Sequence, residues 1–194
     1  MFNDAEKLHI ISAKHTLQTY LTDFKTLLEQ IYDTPGIVTN SLYVSGGVIP
    51  SILQGEAIHD IDIYSTDFTV MEGLVYQFET RFPDHIMDVD EKYSQHVGKI
   101  GKMITSNAVT LNLAPEVQLI TKMCGPTNVV VQTFDFVHCS AYYSLLDEKL
   151  YISRNQYECI VKKQLKVLNY SNLTEKREQK FYNRNYQYAT DVSN

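Results

Sequence analysis

The chain has 194 residues, 44% of them hydrophobic and 21% charged, enough apolar material for a core of its own and a composition that excludes a wholly disordered protein. Its 23 acidic residues against 17 lysines and arginines leave a net charge of −6. That balance excludes a global basic field holding nucleic acid through many phosphates, so no extensive nucleic-acid-binding surface is expected and any such contact must be local.

Cys124, Cys139 and Cys159 are odd in number and lack paired short spacing, which points to reduced thiols rather than a disulfide framework or a zinc site. No leader-like segment opens the sequence and no apolar run reaches the ~18 residues a membrane span needs. The expectation is a cytoplasmic protein, in a host cytoplasm if virus-encoded, with no membrane contact.

From about Asp4 to Tyr32, Leu8, Ile11, Leu17, Leu21, Phe24, Leu27, Leu28 and Ile31 recur at mostly three- and four-residue steps, with Pro35-Gly36 behind them. This is an amphipathic helix, open to one interruption. Ser41 to Ser45 is a short β-prone run ending on Gly46-Gly47, Ile49 to Gln54 reads as a helix closed by Gly55, and Ile58 to Tyr64 alternates as a strand does. Phe68 to Phe82 is predicted helical, with Pro83 as terminator. Four strands are predicted next, over Ile100 to Ser106, Ala108 to Leu113, Val117 to Thr121 and Val129 to His138. Helices follow over Arg154 to Tyr170 and Asn172 to Tyr188. The whole chain, 1–194, reads as one α+β domain, a mixed β-sheet flanked by helices: an N-terminal helical segment over 1–36, a sheet region over 41–150 and C-terminal helices over 151–190.

Asp60 and Asp62 lie two positions apart, so on a strand both carboxylates leave one face. Two such charges repel and raise each other's pKa unless a cation sits between them. Magnesium, or manganese, carried in with an NTP would be that cation; an exposed edge strand with outward acids is the plainer alternative. Gly46-Gly47, after a strand and before a helix, let a triphosphate approach backbone amides, and Ser45 offers a hydroxyl donor. A third carboxylate is expected on a neighbouring strand, and Asp135, between Phe134 and Phe136, is the candidate, because an apolar setting makes an idle carboxylate costly. Glu116 is in reserve and Asp147 more remote. Arg177, Lys180 and Arg184, three and four apart, line one helix face and could meet the triphosphate, or could simply pair with Glu175 and Glu178. His59, His96 and His138 are read as structural.

These residues resemble the DNA polymerase β-like nucleotidyltransferase superfamily, and within it the head domain of class II tRNA nucleotidyltransferases and bacterial poly(A) polymerases, in a small stand-alone form. Gly46-Gly47 through Leu53 and Gly55 to Asp60-Ile61-Asp62 is similar to that family's first motif without a gap. Phe134-Asp135-Phe136 with Ala141-Tyr142-Tyr143 is looser kin of its second, and Arg177, Lys180-Phe181 and Arg184 look like the basic helix of its neck. The resemblance covers about residues 41–188. It implies transfer of a nucleoside monophosphate from an NTP to a hydroxyl, with Asp60, Asp62 and Asp135 as catalytic metal ligands and Ser45, Gly46, Gly47, Arg177, Lys180 and Arg184 around the phosphates. RNA, a protein or a small molecule would be the acceptor. Pro50-Ser51 stand where the family carries an Arg-Asp pair and Thr174 where its base-reading motif carries an arginine, so a catalytically impaired module that binds a nucleotide or a protein is the alternative.

Overall fold

A computed structural model describes residues 1–86 and 107–189; the strand expected over 100–106, and His96, lie outside the described residues. The N-terminal amphipathic stretch forms two helices, α1 (Asp4–Tyr20) and α2 (Thr22–Ile31), broken at the fully buried Leu21. Asn3 and Glu6 close a capping box on α1, satisfying amides that would otherwise lack partners. Helix α2 buries Phe24, Leu27, Leu28 and Ile31, the spacing of one helical face.

After the short α3 (Gly36–Thr39) come β1 (Leu42–Ser45), α4 (Val48–Leu53) and β2 (Asp60–Ser65), the expected order of strand, glycine turn, helix and strand. Helix α5 (Phe68–Arg81) is capped by the Asp67 side chain. Strands β3 (Ala108–Leu111), β4 (Glu116–Cys124), β5 (Tyr142–Ser144) and β6 (Lys149–Tyr151) complete a six-stranded sheet in the order β3-β4-β2-β1-β5-β6. The β2–β4 pair is parallel and the other four are antiparallel. This is the mixed, helix-flanked sheet read from the sequence, although the β5–β6 hairpin was not anticipated.

Strand alternation divides the sheet into two faces. Leu42, Val44, Ile61, Ile63, Val117 and Leu119 point into the main core with α1, α2 and α5. Tyr43 and Tyr64 point the other way, into a smaller aromatic core with Phe134, Phe136, Phe181 and Tyr186. Asp60 and Asp62 share this second face, so the carboxylates stand opposite the main core.

Three expectations are corrected. The strand predicted over Val129 to His138 is instead a helical turn, α6 (Thr127–Val130), with 3₁₀ turns at Val131–Thr133 and Val137–Cys139. A strand needs a free edge to pair with, and β4 is already flanked by β3 and β2. The segment crosses the second face and sinks Phe134 and Phe136 into the aromatic core. The helix predicted over Arg154 to Tyr170 stops early: α7 (Arg154–Val161) ends where Lys163 takes φ 51°, and the chain continues as β7 (Gln164–Leu165). The last helix is also shorter, α8 (Glu175–Tyr182), followed by β8 (Gln187–Tyr188), which pairs parallel with β7. Thr174, which stands in place of an expected arginine, is its N-cap and accepts from the Arg177 amide.

Candidate active site

On β2, Asp60 is exposed while Asp62 is half-buried, with Ser45 opposite it on β1 and Gln118 opposite it on β4. Burial, followed by the charge of Asp60, raises the Asp62 carboxyl to about 7, against a smaller downward pull from Lys180 and Arg177. Asp62 thus carries the repulsion that the Asp-x-Asp spacing implies. Its neighbour across the turn is Gly46, at φ 93°, where a Cβ would stand 2.9 Å from Asp62 Oδ2. Only glycine accepts both that backbone and that approach.

A cleft of about 680 Å³ opens over this pair, bordered by Gly46 and Gly47, by Arg177 and Lys180 of α8, and by Phe134, Asp135 and Tyr64. It brings Asp60, Asp62, Asp135, Gly46, Gly47, Arg177 and Lys180 of the expected set together. Ser45 and Arg184 are not among its walls. A second recess of about 290 Å³ adjoins it through Gly47, Asp60 and Lys180 and holds Ser51, Glu56 and Arg184.

Several side chains expected to face the substrate are committed elsewhere. The Ser45 hydroxyl is fully buried and donates to the Ala141 carbonyl at 2.8 Å, and the Gly46 amide donates to the Cys139 carbonyl at 3.2 Å. Neither has a proton to spare for a phosphate. Asp135, 5% exposed, accepts from Arg177 Nε at 2.5 Å and from Arg177 Nη2 at 3.2 Å, and also from the Phe136 amide. The expected third metal ligand therefore spends both oxygens on the α8 arginine. Arg184 is held by Glu56, with Nε 3.0 Å from Oε2, and donates to Ser51 Oγ at 2.9 Å. Glu56 also accepts from Lys163 at 2.8 Å. Burial raises the Glu56 carboxyl, but the hydrogen bonds and charges of Lys163 and Arg184 outweigh it and hold it below the usual carboxylate range.

Arg177 thus ties the start of α8 to Asp135, Arg184 ties the turn after the helix to Glu56 rather than sharing its face, and the buried Phe181 pins the helix between them. Lys180, between these ties, makes no hydrogen bond or ion pair among the described residues and lines both the cleft and the recess. His138, read as structural, is fully buried, its ring 4.4 Å from those of both Phe181 and Tyr186, and burial pushes it down to about 3. Glu116, the reserve carboxylate, sits beside Asp60 in the parallel β2–β4 register. Among the described residues no three His, Cys, Asp or Glu side chains gather as a metal-binding group. The Asp60–Asp62 pair, with one half-buried carboxylate destabilised by its surroundings and by its neighbour, still has the oxygen ligands that suit a hard divalent cation.

Sequence reasoning did not reach Tyr64, Lys122 or Asn172, which also line the cleft. Tyr64 carried a signal, because it continues the Asp60, Asp62 alternation. Lys122 and Asn172 come from segments whose sequence distance to the motif is bridged only by the fold.

Among solved structures, a CCA-adding enzyme in complex with ATP matches at TM-score 0.55 and 14% identity over 87% of this chain and 40% of its own. A CCA-adding enzyme with CTP matches at TM-score 0.53 and 12% identity, over 89% and 42%, and the Thermotoga maritima CCA-adding enzyme complexed with tRNA at 0.50 and 12%, over 86% and 40%. The chain thus spans about two fifths of the length of these structures, and at such identities the likeness is one of fold. No curated protein matches the chain. A family model described as Gabija anti-defense 2 family protein matches residues 15–163, well over half of the sequence. Among the described residues no helix is long and apolar enough to cross a membrane.

Proposed function

The chain belongs to the Gabija anti-defense 2 family, and from that premise we propose that it is a nucleotidyltransferase, moving a nucleoside monophosphate from an NTP to a hydroxyl of an acceptor and releasing pyrophosphate. The observation that carries this reading is the half-buried Asp62 pressed against Gly46 and paired with Asp60, in a cleft that Lys180 lines with no hydrogen bond or ion pair among the described residues.

Asp60 and Asp62 would hold magnesium or manganese, which when bound neutralises the carboxylate pair and the phosphates and polarises the reacting phosphorus. The acceptor oxygen attacks the α-phosphorus as the bond to the β-phosphate oxygen breaks, and the electron pair leaves with pyrophosphate. The proton of the acceptor passes toward solvent by way of Asp60, the exposed member of the pair. Lys180, set between the cleft and the recess, meets the charge that grows on the leaving pyrophosphate. Gly47 lets the polyphosphate lie close to the start of α4. Asp135 serves by aiming Arg177 across the cleft rather than as a ligand. Most of the rate would come from such positioning and electrostatics.

The family description, Gabija anti-defense, makes a component of that defence, protein or RNA, the acceptor to test first. Incubation with each α-³²P NTP, magnesium and Gabija-containing or Gabija-free cell extract reads transfer and acceptor class together. Label on neither protein nor RNA, with no pyrophosphate released, refutes the reading. The occupied Ser45, Gly46 and Arg184 donors favour a second reading, a nucleotide-binding module without turnover; magnesium-dependent NTP binding with no pyrophosphate release in any extract would select it.

A further inference from the structure

Beyond the carboxylates the cleft changes character. The β2–β4 register slips between Ile63, which pairs with Leu119, and Ser65, which pairs with Cys124. The extra residues of β4 bulge alongside Tyr64, and Lys122 belongs to this irregular stretch. The rings of Tyr64 and Phe134 lie 5.7 Å apart at this end of the cleft, the Tyr64 ring backed by a stack on Tyr43. Tyr64 is 6% and Phe134 9% exposed, so these rings give this end of the cleft an apolar floor against which the edge of a nucleobase could rest.

Two polar groups border that floor with hydrogen-bonding capacity unused. Lys122 lines the cleft, and its ammonium, a donor without acceptor capacity, makes no hydrogen bond or ion pair among the described residues. Asn172 lines the same cleft and donates its side-chain amide to the Thr133 carbonyl. A carbonyl can only accept, so Asn172 must turn its NH₂ group to Thr133, which leaves Oδ1 as an acceptor with no partner among the described residues. Thr133 in turn touches Met123, the residue after Lys122, with Oγ1 3.4 Å from the sulfur, which sets the two groups at one end of the cleft. The Thr133 hydroxyl is already used, donating to the Val130 carbonyl at 2.7 Å.

We infer that this end of the cleft selects a nucleobase presenting a keto oxygen next to a ring N–H, that is guanine or uracil, with Lys122 donating to the keto oxygen and Asn172 Oδ1 accepting from the N–H. Adenine and cytosine present the reverse, an amino donor beside a ring acceptor. They would set donor against donor at Lys122 and acceptor against acceptor at Asn172, and unpaired polar groups at a recognition site give the strongest discrimination. The inference rests on the nucleotidyltransferase reading and adds the base to it.

The test is isothermal titration of the full chain with GTP, UTP, ATP and CTP in magnesium, repeated with Lys122→Met and Lys122→Arg. The expected result is GTP and UTP binding about tenfold or more tighter than ATP and CTP. Lys122→Met should narrow the preference, because Asn172 still tells the bases apart, whereas Lys122→Arg, which keeps a donor, should retain it in full; an undiminished preference in Lys122→Met overturns the role of Lys122. Equal binding of all four by the wild type, or a preference for ATP or CTP, overturns the base assignment and leaves the transferase reading standing. No binding of any NTP overturns both.

Discussion

Asp62 makes the site measurable without a substrate. Its carboxyl is raised to about 7, against ~3.9 in an unfolded chain. The folded form therefore favours the protonated acid. The stability this contributes is complete below about pH 4, is lost as pH rises toward 7 at ~1.4 kcal/mol per pH unit, and levels off above. Relative to Asp62→Asn, which keeps the shape and removes the charge, the metal-free wild type should thus fall behind by about 4 kcal/mol between pH 4 and pH 8. At ~2–4 °C per kcal/mol for a chain of this size, the variant should melt about 10 °C higher at pH 8 in EDTA and nearly level with the wild type at pH 4. Thermal melts of both proteins across that range read the difference directly. Magnesium at pH 8 should recover much of the gap in the wild type and do little for the variant, because the cation relieves the same repulsion. A gap that stays constant with pH refutes the buried-charge reasoning, and a gap that magnesium leaves untouched refutes the pair as a cation site.

Other outcomes follow from the same geometry. Asp60→Asn should abolish magnesium-dependent pyrophosphate release while moving the melting temperature by only a few degrees, since Asp60 is exposed; a coupled pyrophosphate assay and a melt check this. Gly46→Ala brings a Cβ to 2.9 Å from Asp62 Oδ2 at φ 93°, and should cost about 1–3 kcal/mol in urea unfolding as well as activity. Arg177→Ala strands the buried Asp135. The loss in urea should be about 2–3 kcal/mol, below that of a fully buried pair because the Arg177 side chain is 39% exposed, and Asp135→Asn in the same chain should return part of it. Lys180→Ala should lower kcat about tenfold with little change in melting temperature, as expected for a cation that meets charge developing on the leaving group and has no hydrogen bond or ion pair among the described residues.

The Gly46-Gly47 to Asp60-Ile61-Asp62 unit was legible in the sequence because it is local. Glycines that end a strand, a helix closed by Gly55 and two acids on one strand face are all properties of a single strand–turn–helix–strand stretch, and β1, α4 and β2 form where the periodicities place them. The N-terminal amphipathic pattern and α5 were legible for the same reason. The segment around Asp135 was not. Alternating Phe134 and Phe136 satisfy a strand and a face-crossing turn equally well, and what separates them is whether β4 has a free edge, a fact of topology. Chain-local reading also could not say which polar atoms were already spoken for. Ser45, Gly46 and Arg184 are of the right type and in the right places along the chain, but Ala141, Cys139 and Glu56 claim them across 96, 93 and 128 residues of sequence. Sequence by itself therefore determined which local unit bears the carboxylates and the fold class around them. Only the tertiary structure decided that Asp135 pairs with Arg177, that Lys180 faces the cleft with no hydrogen bond or ion pair among the described residues, and that Lys122 and Asn172 line the same cleft, because hydrogen-bonding capacity is finite and long-range partners consume it first.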